Sequence, residues 1–258
     1  MSAILDAQGL NKSFGAVTAA QGVCAAIEKD SVVGLIGTNG AGKTTFINMI
    51  TGYLKPDSGS IRYEGRDITA LAPRDIARLG ICRSFQIPQL YSSLSVRENM
   101  MMALGIMLHG AGRGGFFSFD RPDVPGHDAP AEEVADRILE RFGLAEHRDK
   151  NTQALPGGLR KLLDIALTMA AKPRMLLLDE PTSGVSAEEK FGIMELIMQA
   201  VRAEGVTVIF VEHDMEVVSR FAQRVLAFYD GRIIADAPPE TVLKDTEVRR
   251  YVVGTLHA

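Results

Sequence analysis

The stretch Gly37-Thr38-Asn39-Gly40-Ala41-Gly42-Lys43-Thr44 reads G-x-x-x-x-G-K-T, the pattern of a phosphate-binding loop. Such a loop works only between a strand and a helix. Before it, Val32-Val33-Gly34-Leu35-Ile36 has the composition of a buried strand. After it, Phe46, Ile47, Met49 and Ile50 recur at helical spacing. The flanks therefore predict a strand–loop–helix unit and an α/β fold. Gly37, Gly40 and Gly42 let successive N–H groups turn toward one centre, and the helix that follows adds its positive end. Lys43 is placed to reach the β- and γ-phosphates of a nucleotide, and the Thr44 hydroxyl can bind Mg²⁺. Thr38, Asn39, Ala41 and Thr45 complete the candidate nucleotide-binding set on this loop.

A chain of 258 residues, 46% hydrophobic and 23% charged, can bury a sizeable core as one large domain or two modest ones. A net charge of −4 gives no electrostatic reason to expect nucleic acid as a partner. Cys24 and Cys82 form no metal or redox motif, which fits a reducing cytoplasm. Residues 1–12 hold no apolar signal core. The longest uncharged apolar stretch, 99–112, falls short of the roughly 20 residues a membrane helix needs. A membrane process served by this chain would take its membrane part from another chain.

Residues 3–10 and 23–28 read as strands, with Phe14 between them. Lys55-Pro56-Asp57-Ser58-Gly59 is a turn signal, followed by a short strand at 61–63, a short helix at 73–79 and a strand at 81–86. The texture then changes. Residues 91–108 look helical, 109–130 are rich in Gly and Pro and carry Phe116, Phe117 and Phe119, and 131–142 return to helical spacing. Those three aromatics read equally as a docking patch or a small satellite core. A helix is expected over 159–171, a buried strand over 175–178, and a helix from a capping box at Ser186-Ala187-Glu188-Glu189 to near Gly205. A strand at 206–211, a hairpin around Asp230-Gly231 and short helices from 238 onward complete the chain. The sequence thus predicts an α/β fold with a parallel sheet, an added N-terminal antiparallel sheet and an inserted helical subdomain. Residues 1–90 and 159–235 would form the nucleotide-binding core, 91–158 the helical subdomain and 236–258 a helical tail.

A second polar centre follows Leu176-Leu177-Leu178. A buried strand presents polar residues at its C-terminal end, where α/β sheets bind ligands. Asp179 there can hold Mg²⁺ or its water, and Glu180 can polarise a water for attack on the γ-phosphate. A merely solvated strand end fits these two carboxylates equally well when they are taken alone.

With these motifs in order, the chain resembles the ATP-binding cassette (ABC) ATPases over nearly its whole length. Residues 37–44 match the Walker A loop and 176–180 match Walker B with its catalytic glutamate. By that resemblance Gln86, in Arg83-Ser84-Phe85-Gln86, is the glutamine that senses Mg²⁺ and the γ-phosphate. His213 is the switch histidine, and Phe14 stacks on adenine. Residues 155–159 occupy the place of the signature L-S-G-G-Q, with Gly157 and Gly158 as its phosphate-facing glycines, and 183–186 that of the D-loop. The Arg83–Gln86 run, Ser95-Val96-Arg97-Glu98-Asn99, the long insert and Val211-Glu212-His213-Asp214-Met215 look like the larger cassette of branched-chain amino-acid type importers.

The resemblance implies a P-loop NTPase core using ATP and Mg²⁺, and a cytoplasmic subunit peripheral at the inner face of the cell membrane. It implies docking to membrane-spanning permease subunits through residues 86–94, with a periplasmic binding protein feeding them. A homodimer, or a heterodimer with a paralogous cassette, would hold each ATP between Walker A of one subunit and the signature of the other. Two positions depart from the pattern. Pro156 replaces the signature serine, with neither hydroxyl nor N–H to offer, and Leu159 replaces the polar residue after the glycines. Ser186 stands where the D-loop usually has Asp. The alternative is a non-transport ABC ATPase, which tandem cassettes or a long coiled coil would mark, or a regulatory nucleotide-binding module with weak hydrolysis, which Pro156 would fit.

Overall fold

The apolar runs that read as buried strands from sequence become the middle of a sheet. A computed structural model describes residues 3–84, 90–110, 127 and 129–254, with side chains left out at 107–110. In chain order the elements are β1 (Ala3–Phe14), β2 (Val17–Glu28), β3 (Val32–Gly37), α1 (Lys43–Ile50), β4 (Ser58–Tyr63), β5 (Arg66–Asp67), α2 (Pro73–Arg78) and β6 (Ile81–Ser84). Then come α3 (Val96–Gly110), α4 (Ala131–Arg141), α5 (Gly157–Ala170), β7 (Met175–Asp179), α6 (Lys190–Ala203) and β8 (Thr207–Val211). The last are α7 (Met215–Phe221), β9 (Arg224–Tyr229), β10 (Arg232–Ala237), α8 (Pro239–Val242) and α9 (Thr246–Val248), followed by one π-helical turn, Arg249–Val253.

The residues fall into two units. The first comprises Met1–Arg83, Arg174–Pro181 and Gly205–Ala258. It holds a six-stranded sheet in the order β10-β9-β3-β8-β7-β6 and a four-stranded sheet in the order β2-β1-β4-β5. Strands β3, β8, β9 and β7 pair in parallel, and β10 joins β9 antiparallel. Every residue of β3 and β8 is buried, as expected of parallel strands covered on both faces. The four-stranded sheet is antiparallel and longer than its sequence predicts, because β1 and β2 continue to a tight turn at Gly15. Side chains from both sheets and from α1 share one core that includes Leu5, Ile27, Phe46, Ile61, Leu177 and Phe228.

The second unit comprises Ser84–Pro173 and Thr182–Glu204. In it α3, α4 and α5 pack on one another, and α5 packs on α6. The sequence assigns 159 onward to the core; the structure instead groups α5 and α6 with the helical unit. The cause is the apolar side chains of α5, where Leu162, Leu163, Ile165, Ala166 and Met169 are all buried. Helix α3 opens on a reciprocal capping box absent from the sequence prediction. The Ser95 N–H donates to Glu98 at 2.7 Å, and the Glu98 N–H donates to the Ser95 hydroxyl at 3.2 Å. At Ser186 the expected box takes another form. The Glu189 N–H donates to the Ser186 hydroxyl at 3.3 Å as a box requires, but that hydroxyl in turn donates to the Glu189 carboxylate at 2.8 Å, and α6 starts only after this turn. Phe116, Phe117 and Phe119 lie outside the described residues.

Candidate active site

Two close approaches shape the loop between β3 and α1. A Cβ on Gly37 would lie 2.5 Å from the Phe228 carbonyl oxygen, and one on Gly42 would lie 2.6 Å from that of Ala19. Neither position admits a side chain, and Gly42 also has φ 107°. The Gly231 N–H donates to the Ala41 carbonyl at 3.1 Å, and the Gln21 N–H donates to the Gly231 carbonyl at 2.8 Å. The β9–β10 turn and β2 therefore brace the loop through backbone alone. Thr38, Asn39, Gly40 and Thr44 are exposed, Thr45 is half-buried, and α1 begins without a side-chain cap.

Lys43 is a charged residue buried on this loop, with only 6% of its surface exposed. Its Nζ donates to the carbonyls of Gly37 at 2.6 Å and Thr38 at 3.0 Å. Burial pulls its pKa below the usual lysine value, while the charges of Glu180 and Asp179 oppose that shift. A cation drawn out of water on a glycine-rich loop at a helix start is suited to meet an anion.

Parallel register brings the carboxylates to the same end of the sheet. Leu35 of β3 and Asp179 of β7 both pair with Val211 of β8, so the three strand ends lie side by side. Glu180 follows directly, with its N–H donating to the Val211 carbonyl at 3.1 Å. Its φ of 47° is left-handed, an uncommon setting for a glutamate, and it turns the chain sharply off the strand end. Glu180 Oε1 lies 3.2 Å from His213 Nε2, a hydrogen bond in the tautomer that carries the proton on that nitrogen. His213 stands two residues beyond β8, next to Asp214, which caps α7 by accepting from the N–H groups of Glu216 and Val217. The candidate residues Lys43, Asp179, Glu180 and His213 thus gather at the C-terminal edge of one sheet, where α/β folds place their sites.

One member was missed from sequence. The Arg83 guanidinium donates through Nη2 to Asp179 Oδ2 at 2.6 Å and through Nη1 to Asn48 Oδ1 at 2.7 Å. Arg83 is 96 residues from Asp179, and only the neighbouring places of β6 and β7 in the sheet connect them. Phe14 ends β1, half its surface exposed, with Lys12 Nζ 5.8 Å from its ring centroid. Gln86 lies outside the described residues.

Gly157 and Gly158 belong to the second unit and form the first turn of α5, with Pro156 at its N-cap and no side-chain cap. A Cβ on Gly157 would lie 3.3 Å from the Gly184 carbonyl oxygen, and one on Gly158 would lie 2.6 Å from Ile193 Cδ1. The two glycines therefore let the Gly184 turn and α6 approach closely.

Comparison with known proteins agrees with this architecture. The ABC transporter family matches residues 20–183. The chain is 34% identical to the high-affinity branched-chain amino acid transport ATP-binding protein BraF of Pseudomonas aeruginosa, over 97% of this chain and 98% of that protein. It is 35% identical to a probable branched-chain amino acid transport ATP-binding protein LivG of Archaeoglobus fulgidus, over 97% of this chain and 95% of that one. Among solved structures it is similar to the ADP conformation of MJ1267, an ATP-binding cassette of an ABC transporter. The TM-score there is 0.79 at 31% identity, covering 97% of this chain and 98% of that one. With the strand–loop–helix, the carboxylate strand end and these full-length likenesses together, the chain belongs to the ABC transporter family as one of its ATP-binding cassettes.

Proposed function

We propose that this chain binds and hydrolyses ATP to power an importer for branched-chain amino acids or related small solutes. The observation that carries the chemistry is the convergence of buried Lys43 with Asp179 and Glu180 at one sheet edge. The likeness to branched-chain transport ATP-binding proteins along their full length supports the transport role over a regulatory module. In this reading membrane-spanning permease subunits hold the chain at the inner face of the membrane, and a periplasmic binding protein supplies them. Two cassettes, identical or paralogous, face each other so that Gly157 and Gly158 of one meet the nucleotide held by the other. The sheet unit and its C-terminal helices bind nucleotide, and the helical unit carries the signature.

Lys43 exchanges its two carbonyl partners for phosphate oxygens, and the loop N–H groups hold the remaining charge. Thr44 and Asp179 offer hydroxyl and carboxylate oxygens, the hard donors that suit Mg²⁺, so the residues present fit that ion. When bound, Mg²⁺ supplies charge neutralisation on the phosphates. Glu180 orients a water and accepts its proton, and His213 fixes the carboxylate through Oε1. Gln86 joins them as a sensor of the γ-phosphate, and Phe14 stacks on the base.

Purification of the chain with its membrane subunits and assay of Mg-ATP hydrolysis tests this. Lys43→Ala is expected to abolish turnover with an unchanged circular dichroism spectrum. Glu180→Gln is expected to keep ATP binding, lose turnover and shift toward a dimer in size-exclusion chromatography with Mg-ATP, since Gln cannot accept the proton. Wild-type turnover in either variant contradicts the assignment.

A further inference from the structure

We infer that Arg83 is a positioning residue that holds the Asp179 carboxylate in one orientation and thereby sets how tightly the nucleotide-loaded site takes a divalent cation. The inference rests on the proposed role of Asp179 at the metal.

Arg83 is the last residue but one of β6, Asp179 ends β7, and Asn48 lies on α1, the helix that leaves the phosphate loop. One planar guanidinium spans all three, at 2.6 Å to Asp179 and 2.7 Å to Asn48. Both ends of the ion pair are largely covered, with side-chain exposures of 9% for Arg83 and 15% for Asp179. A charge-assisted bond in such a setting is short and directional. Because Arg83 engages Oδ2 in a short charge-assisted bond, it restrains the carboxylate plane and with it the direction of Oδ1. Asn48 fixes the guanidinium in turn, so the metal-facing carboxylate is referenced to the same helix that carries Thr44. A lysine at position 83 would keep the charge but present one ammonium in place of a fork, and could not bridge both partners in a plane. Supporting partners of metal-binding carboxylates are worth about 10- to 100-fold in metal affinity. A purely structural ion pair would instead leave the cation dependence untouched.

The test uses Mn²⁺ as probe ion on the full chain loaded with ADP, read by electron paramagnetic resonance of bound Mn²⁺. Metal-free ADP affinity is measured separately in EDTA with a fluorescent ADP. Arg83→Met is expected to raise the half-saturating Mn²⁺ concentration about 10-fold and broaden the bound spectrum, with metal-free ADP affinity unchanged. Arg83→Lys should fall between it and wild type. Asn48→Ala keeps the ion pair and removes its anchor, so it should shift in the same direction by less, and it serves if Arg83→Met does not fold. Asp179→Asn is the control. A shift in Asp179→Asn with none in the Arg83 and Asn48 variants overturns the role of Arg83 alone. No shift in Asp179→Asn removes the metal reading of Asp179 and the inference with it.

Discussion

Tyr63 ends β4 with its ring buried and its hydroxyl without a hydrogen-bond partner among the described residues. Burial, with the nearby Glu64 charge adding to it, raises its pKa from 10.0 to about 12. An unsatisfied buried hydroxyl costs about 1–3 kcal/mol, so Tyr63→Phe is expected to stabilise by about 1 kcal/mol and raise the melting temperature by about 2–4 °C. The pH dependence has a definite sign. The folded-state pKa is the higher one, so the contribution of the neutral phenol is complete below the unfolded value of 10.0 and is lost as pH rises through about 12. Melts at pH 8 and pH 11 should therefore show a larger gap between Tyr63→Phe and wild type at the alkaline pH; a constant gap refutes the assignment. None of this was legible in sequence, where Tyr63 is one aromatic of a short strand. Arg83 was equally hidden. Its type and place were visible, but its target depended on strand order. Lys43, Asp179 and Glu180 were legible because each is tied to a strand end or a helix start by adjacent residues.

Helix α5 starts where two demands meet. Its first-turn N–H groups need partners, and its N-cap residue Pro156, with φ −54° and ψ 155°, has no side-chain oxygen to offer. The sequence predicts its start at 159, because Pro-Gly-Gly reads as a loop; in the structure both glycines are helical. Propensity alone could not show this, since the room for Gly157 and Gly158 is defined by Gly184 and Ile193 far along the chain. In the proposed dimer, Pro156→Ser adds a hydroxyl at the helix start that would meet a phosphate held by the other cassette. A hydrogen bond to a charged group contributes about 1.5–3 kcal/mol; if half of it is realised in the closed state, turnover rises roughly 3- to 10-fold. Rates with the membrane subunits at saturating Mg-ATP decide this. Turnover at or below wild type would mean that the backbone has adapted to proline and that Pro156 is not a missing phosphate contact.

At the scale of the whole molecule the alternation of strand and helix was legible, and so was the change of texture that marks the helical insertion. The membership of α5 and α6 was not, because it depends on which side chains bury against which helix. The long-range bracing of the phosphate loop was hidden for the same reason. That loop is finished at Thr44, yet the strand that carries it, β3, lies between β8 and β9, and a backbone bond that steadies the loop comes from Gly231. Order of synthesis therefore matters. At about 5–20 residues per second, the ribosome needs roughly 10–40 s to make the chain between Thr44 and Gly231. Through that interval a glycine-rich segment and a buried-type strand exist without the neighbours that shape them. Nascent chains arrested before Gly231 emerges should not retain a fluorescent ADP, whereas chains arrested after the whole β9–β10 hairpin has emerged should. Retention by the shorter chains would show that the loop is self-sufficient. Otherwise the cassette becomes competent for nucleotide only near the end of its own translation, and a truncated product cannot compete with finished subunits for nucleotide.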